Sequence, residues 1–417
     1  MGNKKRSTAV RAVLVILIVI LFLGIAYAAS LEGVLHSFNP KHDYDGWEPL
    51  AGLIVDAAGH LYGTTRFGGA IGEGTVFELK YSRLRGWTEK ILYNFNPTQN
   101  NDGSEPYAGL VFDTAGNLYG TTAGGGAYGN YGTVFELTPN AGGGWTEVIL
   151  HSFNNDGKDG YGPIAGLTFD TTGNLYGTTA SGGTFGSGTV FGMTPRTGGG
   201  WQEAVLHSFN NDGKDGYQPF AGLVIDTAGN LYGTTFSGGN YGGGTVFGMR
   251  PRAGGGWEEA VLHSFSEDGE DGTNPWGGLI LDAEGDLYGT TAYGGTDHCG
   301  TVFGLRPKSG GYWQEGILYS FYTKPNDGCS PVGGLIFDAS GNLYGTTNYG
   351  GIGCGTVFGL RPEAGGRWVE GVLHSFKNSS DGCGPSAGLT SDGAGNLYGT
   401  TEAGGTYNYG TVFGVEP

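Results

Sequence analysis

From Leu31 onward the apolar positions come in short runs of four to nine residues, rich in β-branched and aromatic types. Each run is closed by Gly, Asp, Asn or Thr. Short apolar runs between turn residues predict β-strands along the chain. One copy of the pattern reads as four strands, a to d, at 163–170, 174–179, 188–193 and 201–209. Gly173 falls in the short loop between a and b, where a hairpin needs positive φ. The unit is expected to be a four-stranded antiparallel meander.

The unit recurs. Leu-Tyr-Gly-Thr-Thr begins at Leu61, Leu118, Leu175, Leu231, Leu287, Leu343 and Leu397, at intervals of 57, 57, 56, 56, 56 and 54 residues. Seven such units predict an all-β fold, a seven-bladed β-propeller of four-stranded antiparallel blades spanning 31–417. The last unit ends after its c strand, and its d strand is found in 31–38, which aligns with 146–153. An N-terminal outer strand would close the ring and remove an open edge, so a monomer is expected.

Composition supports this and adds a cellular address. Gly accounts for 88 of 417 residues, about three times the usual share, which disfavours long helices. The 24 Tyr, 22 Phe and 8 Trp supply enough burial to exclude disorder. Lys4, Lys5, Arg6 and Arg11 precede an apolar run at 12–28 that ends Ala26-Tyr27-Ala28. This reads as a signal peptide over 1–28, with an uncleaved anchor as the alternative. Without those four bases, 17 basic residues face 39 acidic ones, net −22. So acidic a chain excludes nucleic acid as a partner, and no membrane insertion is expected after cleavage.

Four cysteines test the arrangement. Cys299 and Cys354 precede strand c of blades 5 and 6, whereas Cys329 and Cys383 lie in the loops entering strand a of blades 6 and 7. The b–c and d–a loops of a meander emerge on one face. Of the three pairings open to four cysteines, blade geometry selects Cys299–Cys329 and Cys354–Cys383.

Candidate chemistry is sparse. Asp-Gly-x-x-Pro enters strand a in all seven units, and strand d carries a Glu followed four residues later by His or Tyr, as in Glu203 and His207. Positions four apart on a strand share a face, so this pair could bridge blades. Sevenfold recurrence assigns it to structure, because a catalyst needs one such site. No catalytic residue is assigned, and no cofactor is expected beyond a cation. The d–a loop carboxylates Asp43, Asp45, Asp156, Asp159, Asp212, Asp215, Asp268 and Asp271 form oxygen-rich turns that suit calcium, although such turns also form without metal. Ligand-binding candidates are the loop aromatics Trp47, Tyr161, Tyr217, Tyr128, Phe185, Tyr241 and Tyr407. Trp276 and the Asp297-His298 pair join them as features peculiar to blade 5. Flat rings among Gly and carboxylates are the chemistry of sugar recognition.

The repeated Gly-Asn-Leu-Tyr-Gly-Thr-Thr, Gly-Thr-Val-Phe and Leu-His-Ser-Phe, as at 173–179, 188–191 and 206–209, resemble the bacterial GloVer (choice-of-anchor) tandem-repeat extracellular family over 31–417. The resemblance implies a secreted or cell-surface protein and brings no catalytic residue with it. The expected function is a non-catalytic module that binds glycan or a surface protein. An extracellular polysaccharide lyase or hydrolase and a calcium-stiffened structural protein are the alternatives.

Overall fold

The computed structural model describes residues 33–417 apart from 43, 267, 378 and 379. The expected signal segment, Leu31, Glu32 and Asp43 lie outside the described residues. Among the described residues all regular structure is β, and seven four-stranded antiparallel sheets form a seven-bladed propeller. In blade 3 the strands are Thr168–Phe169, Leu175–Thr179, Thr189–Pro195 and Trp201–Ser208. Blade 7 takes its outer strand from Gly33–Ser37, which pairs with Thr411–Val415, as the N-terminal closure requires.

The blades are held by apolar faces shared between neighbours. Leu167, Leu175, Phe191 and Met193 of blade 3 pack on Tyr119, Val134 and Phe153 of blade 2. The strand-d Phe of each blade meets the strand-c Phe of the next edge to face, and Phe38–Phe77 and Phe376–Phe413 carry the series through the closure. Centroid distances in these pairs are 5.0–5.3 Å. The first Thr of each Thr-Thr donates its hydroxyl to a strand-a carbonyl of the next blade. Thr400 Oγ1 donates to Ala51 O at 2.9 Å, joining the two ends of the chain.

Three local details depart from the sequence reading. Strand a pairs over only two residues, because its first half runs along the central channel and gives a carbonyl to the neighbouring Thr, as Ala165 does to Thr121. A second, two-residue ladder joins the d–a loop to the b–c loop, as in Gly160–Tyr161 with Ser181–Gly182. Strand d carries a β-bulge: His207 faces Val190 and Val205 faces Phe191, so Leu206 is the extra residue. One inserted residue inverts the alternation. Glu203 and His207 therefore point to opposite faces, and the expected same-face pair is not formed.

Candidate ligand-binding site

The d–a and b–c loops meet on one face around the mouth of the central channel. In each Asp-Gly-x-x-Pro the second x has left-handed backbone: Glu48, Glu105, Gly162, Gln218, Asn274, Ser330 and Gly384, with φ of 53–67°. Two hydrogen bonds impose it. The Gln218 N–H donates to Ser187 O of the preceding blade at 2.9 Å, and its carbonyl accepts from Phe236 N at 3.0 Å. The same pair of bonds recurs around the ring, from Glu48 with Tyr409 and Arg66 to Gly384 with Cys354 and Glu402. Left-handed backbone costs a non-Gly residue about 1–2 kcal/mol. Five of the seven positions nevertheless carry a polar side chain there, the kind of strain found at functional surfaces.

The residue after each Pro differs in every blade: Leu50, Tyr107, Ile164, Phe220, Trp276, Val332 and Ser386. Together they rim a cavity of about 480 Å³ at the channel mouth. Repetition makes the scaffold, and this register position escapes it, as do the residue before Pro and the residue after Thr-Thr.

The rim has two unlike arcs. On blades 4 to 6, Phe220, Phe236 and Trp276 form a triangle of rings with centroids 4.9–5.3 Å apart. Trp276 remains 42% exposed, and Tyr293 and Tyr349 beside it are 53% and 63% exposed. From blade 6 through blade 7 to blade 2 the arc is polar. Arg66 Nη1 lies 3.2 Å from Glu48 Oε2, and Arg66 Nε and Nη2 lie 3.1 and 3.0 Å from Glu105 Oε2. The guanidinium is held 4.2 Å from the Phe67 ring centre and 4.5 Å from that of Tyr107. Glu402 sits between Asn348 and Glu48, and its carboxyl pKa is raised, first by burial and then by the Glu48 charge. Gly384 makes room for it, since a Cβ there would fall 2.8 Å from Glu402 Oε1.

Two disulfides brace the rim where the arcs meet. Cys299–Cys329 ties blade 5 to blade 6, and Cys354–Cys383 ties blade 6 to blade 7, with Cα separations of 4.7 and 4.8 Å. These are the expected pairings.

A family profile described as the Gloeobacter/Verrucomicrobia repeat matches residues 24–224 and 170–413. The chain belongs to that family. No curated protein matches this Gloeobacter/Verrucomicrobia repeat chain in sequence. Among solved structures, one described as the extracellular domain of a one-component system from B. thetaiotaomicron superposes with a TM-score of 0.56 at 12% identity. That match covers 93% of this chain and 42% of the other. PorZ, a surface component of the type-IX secretion system of Porphyromonas gingivalis, gives 0.43 at 15% identity over 82% and 43%. A PL25 ulvan lyase gives 0.48 at 13% identity over 92% and 94%. The chain spans less than half of the first two structures. At 12% identity, the one-component-system match shows a shared propeller fold.

The aromatic candidates fall into groups. Trp47 packs on Phe67 and Tyr409, with centroids 4.6 and 6.0 Å away, and Tyr161 packs on Tyr131 at 5.4 Å. Tyr217 is half-buried in the equivalent place, against Gly238. This is the inter-blade contact that Cys329 and Cys383 fill with disulfides. Tyr128, Phe185, Tyr241 and Tyr407 are exposed at b–c loop tips. Those tips fold back over strand d, as Thr184 N donating to Ser208 Oγ shows, and so lie at the outer edge. Asp297 and His298 are exposed on the same tip of blade 5. Of the ten ligand-binding candidates, Trp276 alone lines the mouth cavity. Missing from the sequence reading were Glu48, Arg66, Glu105, Phe220, Tyr293, Tyr349 and Glu402. Aligning the seven copies at the positions on either side of Pro and at the two positions after Thr-Thr would have exposed them as variable sites in a constant frame.

The loop carboxylates divide into two sets. Asp156, Asp212 and Asp268 are exposed turn caps, each accepting two backbone N–H groups at 2.8–3.0 Å. Asp45, Asp159, Asp215 and Asp271 turn inward, 3.0–3.2 Å from Nε2 of His36, His151, His207 and His263. A strand-d Glu of the next blade completes each inner group. In three of them, such as His151, Asp159 and Glu203, the potential ligand atoms lie within 4.8 Å of one another. Burial, reinforced by the neighbouring Asp, pushes the carboxyls of Glu203, Glu259 and Glu315 up to about 7.

Proposed function

We propose that this chain is an exported, non-catalytic propeller that binds a glycan at the mouth of its central channel. The observation that carries the reading is the ring of seven different residues after Pro, set in a repeated frame and opening on one cavity. Exposed rings of Trp276, Tyr293 and Tyr349 offer faces for sugar stacking, and Asn348, Glu402 and Glu48 offer hydrogen-bonding groups beside them. Export is supported by the basic and apolar N-terminal sequence and by two disulfides, which persist in oxidising compartments.

The test is a binding screen of residues 29–417 against polysaccharides, with products assayed in the same wells. Retention without product is expected. The Trp276→Ala/Tyr349→Ala variant should weaken it about tenfold or more, the loss expected for one or two stacking contacts. Product formation would overturn the non-catalytic assignment and direct attention to Glu402 and Glu48, the adjacent carboxyls of the rim. Retention unchanged in the double variant would remove the mouth from consideration.

A further inference from the structure

Charge at the channel mouth is unevenly compensated. Arg66 serves both Glu48 and Glu105. Glu402 has no basic side chain within ion-pair distance among the described residues; its neighbours are the Asn348 amide and the like-charged Glu48. It is half-buried in the wall of the cavity. A carboxylate in that position is stabilised most by a ligand that brings its own positive charge.

The adjoining rings favour the same ligand. Tyr349 directly follows Asn348 on the blade 6 loop, and Tyr293 and Trp276 continue the rim, all three with exposed ring surface. An aromatic face attracts a cation as well as stacking on a sugar ring. The whole molecule repels polyanions, since 39 acidic residues outweigh 21 basic ones.

We propose that the mouth recognises an amino sugar, with the protonated amine on Glu402 and the pyranose face against Tyr349 or Trp276. This inference rests on the glycan-binding reading above and narrows it to one chemical class. Uronate and sulfated chains are disfavoured by charge. Neutral chains can stack, but they leave Glu402 without a counter-charge.

The experiment is calorimetric titration of the protein with a glucosamine oligomer, its N-acetylated counterpart and an oligouronate, at low ionic strength and pH 6. The glucosamine oligomer should bind about ten- to hundredfold more tightly than the acetylated one, as one charge-assisted contact predicts. The oligouronate should not bind. Glu402→Gln should erase the preference for the free amine, bringing the two hexosamine oligomers to about the same affinity, and an unchanged thermal melt shows that the variant is folded. Tyr349→Ala should weaken both. Equal affinity for the two hexosamine oligomers, or a preference that survives in Glu402→Gln, would overturn the amine assignment and leave the glycan reading standing. Failure of every oligomer to bind would overturn the amino-sugar assignment, and the polysaccharide screen above then decides the glycan reading separately.

Discussion

Gly177, the Gly of Leu-Tyr-Gly-Thr-Thr in blade 3, lies so close to Phe191 that a Cβ would fall 2.6 Å from Cζ and 2.9 Å from Leu167 Cδ2. Its role is absence of volume, because the Phe that crosses to the neighbouring blade needs that space. Gly177→Ala should therefore destabilise by about 1–3 kcal/mol through overpacking, measurable as a lower urea midpoint with unchanged slope. The mouth shows the opposite logic at Gln218, where a side chain is retained although Gly would adopt φ 59° without strain. Gln218→Gly should leave stability equal or raise it by up to about 1 kcal/mol, as thermal melts would show. Lower stability would mean that the Gln side chain itself supports the rim.

Blade interfaces are the elements that respond to pH. Glu203, Glu259 and Glu315 sit under burial beside Asp159, Asp215 and Asp271, and titrate near 7 in the fold. Their unfolded value is about 4.3. A carboxyl whose folded value is raised binds its proton more tightly in the native state. Its stabilising contribution is complete below the unfolded value and is lost as pH climbs through about 7. The melting temperature should therefore fall by several degrees between pH 5 and pH 8.5. The triple variant Glu203→Gln/Glu259→Gln/Glu315→Gln should flatten that slope. An equally steep slope in the variant would assign the pH response to other groups. At this level the sequence reading found the recurring Glu and His but missed their geometry. The bulge at Leu206 separates them onto two faces, and each partner comes from another part of the fold: the Asp from the following loop, the Glu from the next blade. A bulge adds no distinctive residue to the sequence, so periodicity alone could not show it.

For the molecule as a whole, stability depends on closure. Phe38 is fully buried against Phe77, and Gly33–Ser37 covers the edge of strand c in blade 7. Removing residues 33–38 should cost more than the about 3–5 kcal/mol of one buried Phe, because it also bares a strand edge. Size-exclusion chromatography should then show association or loss of folded protein, while an intact monomeric ring after deletion would contradict the closure. The sequence was sufficient for the seven blades, their strand order, the N-terminal closing strand and both cysteine pairings. Each of these follows from short-range turn chemistry repeated at a constant interval, so that one unit predicts its neighbours. The site was not legible in the same way. Leu50, Phe220 and Trp276 follow the Pro of Asp-Gly-x-x-Pro, whereas Tyr349 and Glu402 follow Thr-Thr; they lie far apart in the chain and converge because every blade delivers these register positions to one axis. Trp47 and Tyr161 look like ligand-facing rings in the sequence; in the fold both are half-buried and touch rings of the preceding blade, Tyr409 and Tyr131. Which side chains face the channel depends on the left-handed turn and the inter-blade hydrogen bonds acting together, and those contacts exist only in the closed ring.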